Sequence, residues 1–145
     1  MNGRISILIP EEENLTWVQQ FQEYYEKYDI YRTVVVFNNY TIMNYMCSLL
    51  EKTDSDYTVY QIREGADVPA SIQEFTNSGK RILFLTVHDF VHHQEDVCAY
   101  LMNEHNLIVL ENLRGDQENY AIQVIHNAFA LDIVEAERYY IWLNK

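Results

Sequence analysis

Cysteine, glycine, proline and positive charge are all scarce in this chain, and each shortage excludes something. The two cysteines, Cys47 and Cys98, stand far apart and outside any CxxC pair, which argues against a disulfide. Both fall among apolar neighbours and are expected to be buried free thiols of a reducing compartment. With four glycines and two prolines in 145 residues, no linker and no low-complexity segment stands out, so a single domain over 1–145 is expected. Basic side chains number 10 against 22 acidic ones, a net charge of −12. A surface of that sign repels polyanions and gains little from counterion release, which argues against DNA and weakens RNA binding by the chain alone. Met1 to Pro10 lacks the basic and long apolar regions of a signal peptide. No apolar run approaches membrane-spanning length either. The expectation is a soluble, cytoplasmic protein without membrane contact, and a piece of something larger.

What is present is enough apolar content, 48% of the residues, to fill a core. Five short runs read as strands: Ile5–Ile9, Thr33–Phe37, Tyr57–Ile62, Arg81–Val87 and Leu107–Leu110. Val34 to Phe37 and Ile82 to Leu85 are continuously apolar rather than alternating, the pattern of strands covered on both faces of a parallel sheet. Segments of helical period separate them. Asn14 is a candidate cap for a helix bearing Trp17, Phe21, Tyr24 and Tyr28. Thr41 is a candidate cap for one with Ile42, Tyr45, Met46, Leu49 and Leu50 facing inward. Asp67 with Pro69 opens a third helix, on which Ile72 and Phe75 face inward, and Gly79 stops it. A fourth is expected over 93–104, burying Val97 and Leu101, and a fifth from Asp116 through Tyr120, Val124, Ala128 and Leu131. The alternation predicts βαβ units, an α/β fold with a mainly parallel sheet between helical layers.

Several local patterns resemble the C-terminal RecA-like domain of superfamily 2 RNA helicases, the DEAD-box type in particular. Val34-Val35-Val36-Phe37-Asn38-Asn39 is similar to the strand-end motif IV, and Ser71 to Lys80 to the segment before motif V. Arg81 to Thr86 resembles the strand that opens motif V, and Leu107 to Arg114 stands where the family has a strand ending in Asp-Leu-Pro. Tyr120 to Phe129 aligns without gaps on the motif VI pattern Y-x-H-R-x-G-R-x-x-R. The resemblance covers about Ile5 to Leu131 and implies a RecA-like three-layer α/β/α domain. It also implies that Asn38, Asn39 and Thr86, at strand ends, are the residues placed to touch RNA.

The same alignment removes the chemistry. Phosphoryl transfer depends on positioning and on cancelling charge at the transferring phosphate. The three motif VI arginine positions hold Gln123, His126 and Phe129, none of them a permanent cation. After Thr86 the motif V Asp and Arg-Gly are replaced by Val87-His88-Asp89-Phe90-Val91-His92-His93. The Gln-x-x-Arg expected upstream falls on Gly65 to Val68, without its arginine. The resemblance therefore implies a pseudo-helicase domain with no catalytic residues and no cofactor.

His88, Asp89, His92, His93, Glu95 and Asp96 form a His/acid cluster whose adjacent His-Asp resembles HD-type phosphohydrolases, but that fold is all-helical. With no second ligand set at fixed spacing, a solvated loop and helix start is the expectation, with no metal. The aromatic run Tyr139-Tyr140-Ile141-Trp142 reads as a contact surface through Tyr139, Tyr140 and Trp142, toward another domain or another copy. The expected role is an interaction or self-association scaffold in an RNA-processing assembly, within a ribonucleoprotein granule. Degenerate domains of this kind resemble those of Yb-like, Tudor-domain proteins of the germline piRNA pathway, although no Tudor segment is present here. The competing readings are a non-catalytic RNA binder, half of an active RNA-dependent ATPase, and a flavodoxin-like or receiver-like domain.

Overall fold

In a computed structural model of the chain, the described residues are 4–8, 32–52, 59–100 and 105–111, with Leu113, Asp116 and Tyr120. The elements in chain order are β1 (Arg4–Leu8), β2 (Arg32–Phe37), α1 (Tyr40–Glu51), β3 (Val59–Gln61), α2 (Val68–Ser78), β4 (Ile82–Thr86), α3 (Val87–His92), α4 (Gln94–Tyr100) and β5 (His105–Glu111). The five strands form one sheet in the order β1-β5-β2-β4-β3, and every neighbouring pair is parallel. The fold is α/β, with helices on both faces of the sheet.

The continuous apolar runs occupy the middle of the sheet because both of their faces are covered. Val34, Val36, Leu83, Leu85, Ile108 and Leu110 point to one face, where they meet Val68, Ile72 and Phe75 of α2, Val87 and Phe90 of α3, and Val97 of α4. Val35, Phe37, Ile82, Phe84 and Val109 point to the other, under Met43, Met46, Cys47 and Leu50 of α1. Odd and even positions of one strand thus feed two separate cores, as the two-residue period of a strand requires.

Strand order and helix placement follow from one rule of handedness. From β2 the chain steps past β4 to the sheet edge at β3, then returns through β4 and crosses to β5. A uniform crossover hand puts the helix of the outward step on one face and those of the return steps on the other. That is where α1 and the α2–α4 set lie. A flavodoxin-like sheet, ordered 2-1-3-4-5, keeps its first two βαβ strands side by side. Here β4 separates β2 from β3 and β5 separates β1 from β2, so that rival architecture is excluded.

Local signals act as expected in α2: the Asp67 side chain accepts from Ala70 N–H, Pro69 lies in the first turn, and Gly79 ends the helix at φ 77°. Three expectations are corrected. Asn39, not Thr41, caps α1, which starts two residues earlier. With that start the inward stripe is Met43, Met46, Cys47 and Leu50, at helical spacing. It leaves Tyr45 turned outward and 58% exposed. The helix expected over 93–104 is instead two helices starting at Val87, capped by Thr86. Cys47 is a buried free thiol. The helix expected from Asn14, the side chain of Cys98, and the segment with Tyr139, Tyr140 and Trp142 lie outside the described residues, as does the fifth helix apart from Asp116 and Tyr120, which are both helical. No described helix is long and apolar enough to cross a membrane.

Candidate functional site

Neighbouring strands β2 and β4 send their following helices to opposite faces of the sheet, α1 to one and α3 to the other. Such a divergence opens a crevice at the carboxyl ends of the two strands, where open α/β sheets take their ligands. Asn38, Asn39 and Tyr40 border it on one side and Thr86 to Asp89 on the other. The three residues expected to touch RNA therefore meet at one place, and two of them also cap the helices that follow. Asn39 Oδ1 accepts from Ile42 N–H at 2.9 Å. Thr86 is buried, and its Oγ1 accepts from Asp89 N–H at 3.2 Å. Only the half-buried Asn38 lines the open hollow beyond the strand ends.

Across the crevice runs a contact that no sequence pattern announced. Tyr40 Oη donates to Asp89 Oδ2 at 2.9 Å, joining residues 49 apart in the chain. Asp89 is 6% exposed, and a carboxylate so enclosed needs a donor. Burial, and then the bond to Asp89, push the Tyr40 phenol above its ordinary value of about 10. Its folded form therefore holds a proton that the unfolded chain releases earlier. The associated stability is complete below about pH 10 and is lost as pH rises through the folded value. Chemical denaturation of Tyr40→Phe should show a flatter loss of stability above pH 10 than the parent chain does. Equal slopes would mean that the phenol is not raised in the folded chain. The Cys47 thiol is likewise pushed up, by burial and then by Glu51, which makes it a poor nucleophile.

The hollow has a volume of about 350 Å³. Val87 and Val91 give it apolar walls, and Asn38, His88, His92, Asp116 and Tyr120 complete it. The His88 and His92 rings lie 4.0 Å apart. His92 Nδ1 is 2.8 Å from the His88 carbonyl oxygen; since a carbonyl only accepts, that nitrogen carries the proton. Asp89, of the expected His/acid cluster, turns inward to Tyr40. Among the described residues no three His, Cys, Asp or Glu side chains converge as a metal site.

Arg32, Lys80 and Arg81 directly precede or open β2 and β4 and so stand at the amino edge of the sheet, opposite the hollow. There Arg32 donates to the Thr76 carbonyl at 3.1 Å and lies 5.6 Å from the Phe75 ring centroid. Lys80 lies 5.6 Å from that of Tyr60. No Lys or Arg is among the described residues lining the hollow. Gln123, His126 and Phe129 lie outside the described residues.

No protein-family model matches the chain, and no curated protein matches it. Among solved structures, Mss116p DEAD-box helicase domain 2 bound to an RNA duplex is similar, with a TM-score of 0.48 and 10% sequence identity. The alignment covers 96% of this chain and 64% of that one, so the chain spans just under two thirds of its length.

Proposed function

We propose that the chain is a catalytically inactive, RecA-like helicase C-terminal domain that serves as a protein-interaction and self-association scaffold in an RNA-processing assembly. The resemblance rests on motifs IV to VI in order along the sequence; the placement in a piRNA granule rests on the same resemblance. The observation that carries the inactive reading is the distribution of charge at the crevice. A site that holds phosphates brings cations or clustered backbone N–H groups to them. Here the described lining offers imidazoles, a carboxylate, a phenol, an amide and two valines, whereas Arg32, Lys80 and Arg81 stand at the far edge of the sheet. The residues aligned with the motif VI arginines, Gln123, His126 and Phe129, add no permanent cation, and a net charge of −12 discourages RNA.

Sedimentation velocity over a concentration series, with a gel-shift arm using single-stranded RNA at low salt, tests the reading. Concentration-dependent association without an RNA shift is expected, and Tyr139→Ala with Trp142→Ala should reduce it. A strict monomer that shifts RNA would overturn the scaffold in favour of a nucleic-acid binder.

A further inference from the structure

We infer that the hollow at the carboxyl ends of β2 and β4 is a docking site for an arginine side chain presented by a basic segment of a partner protein. This deepens the scaffold reading and rests on it. Three features of the hollow select that occupant. Its polar groups include hydrogen-bond acceptors, the exposed Asp116 carboxylate and the Asn38 amide oxygen. A guanidinium supplies five donors in a planar fork and no acceptor, the complement of such a set.

The second feature is apolar. Val87 and Val91 lie beside these acceptors and suit the methylene stem of a long cationic side chain. The Tyr120 ring, 57% exposed, offers a face for cation–π contact, which arginine makes more often than lysine. The third is the field. No described lining residue is a permanent cation, and a net charge of −12 draws basic segments toward the surface and turns polyanions away. At about 350 Å³ the hollow is at the small end of ligand pockets, suited to one long side chain rather than a run of stacked bases.

The test is fluorescence anisotropy of a labelled peptide of alternating glycine and arginine, beside matched peptides carrying lysine or citrulline. Arginine should bind most tightly, lysine more weakly and citrulline least. Asp116→Asn and Tyr120→Ala should each lower affinity for the arginine peptide about five- to tenfold. Tyr45→Ala, which alters an exposed tyrosine outside the hollow, should leave it unchanged; far-ultraviolet circular dichroism verifies that each variant is folded. Equal binding of arginine and lysine peptides, insensitive to Asp116→Asn and Tyr120→Ala, would overturn the docking site as mere charge attraction. If the peptide fails to bind while self-association persists, the docking site falls and the scaffold stands. If single-stranded RNA binds and Asp116→Asn strengthens it, both fall.

Discussion

Phe84→Ala should destabilise the domain by about 3–5 kcal/mol, the range for emptying a well-packed aromatic site. Phe84 is fully buried in the interior strand β4, pairs in register with Val35 of β2, and sits under α1 in the core that joins that helix to the sheet. Its ring meets that of Phe37 edge to face, with centroids 4.7 Å apart and planes at 61°. That geometry adds about 0.5–1.5 kcal/mol beyond area burial. Strands on both sides of β4 hold the surrounding backbone in place, so the cavity closes only in part. A typical domain has only about 5–15 kcal/mol of stability, and each kcal/mol is worth about 2–4 °C of melting temperature at this size. A fall of roughly 6–20 °C is expected, with Phe84→Leu much milder because most of the volume is kept. Urea titration of both variants measures this. A loss under about 1 kcal/mol for the alanine variant would show that β4 is not at the centre of the core.

The sequence made the sheet legible because its central strands carry an unusual pattern. Val34 to Phe37 and Ile82 to Leu85 are continuous apolar runs, and such runs have few alternatives to a doubly covered strand. The observed β2 and β4 match the expected ranges to within a residue at each end. The α2 boundaries were legible for a local reason too: Asp67, Pro69 and Gly79 each suit one backbone position.

The crevice was less legible, partly because a motif resemblance hid local chemistry. Reading Val87 to His93 as the loop of motif V obscured Thr86-x-x-Asp89, whose spacing is that of a helix-capping pair. In the structure that pair starts α3. Asn39 was in the same position: read only as part of the motif IV strand end, it also caps α1. The Tyr40–Asp89 bond and the hollow beside it depend on helices leaving adjacent strands toward opposite faces. That is a property of strand order, which no window of sequence encodes.

The larger functional effect is expected in ATP turnover. Joined to the N-terminal domain of an active DEAD-box helicase, this chain should support RNA-stimulated hydrolysis about three to five powers of ten more slowly than an arginine-bearing C-terminal half does, the usual worth of an arginine finger. The deficit is electrostatic in origin. Charge that develops on the transferring phosphate is stabilised by cations already aimed at it, and they act most strongly where water is excluded. A histidine is a weak substitute, since an imidazole with a reference pKa near 6.5 is mostly neutral at cellular pH. Glutamine and phenylalanine offer no charge at all. Restoring arginine at Gln123, His126 and Phe129 together should recover at least about one power of ten if these positions face the nucleotide. Full recovery is not expected, because the described lining of the crevice still has no permanent cation. A steady-state ATPase assay on the three fusions decides it. Turnover within about tenfold of the arginine-bearing control would mean that another group supplies the missing charge, and the inactive reading would then be wrong.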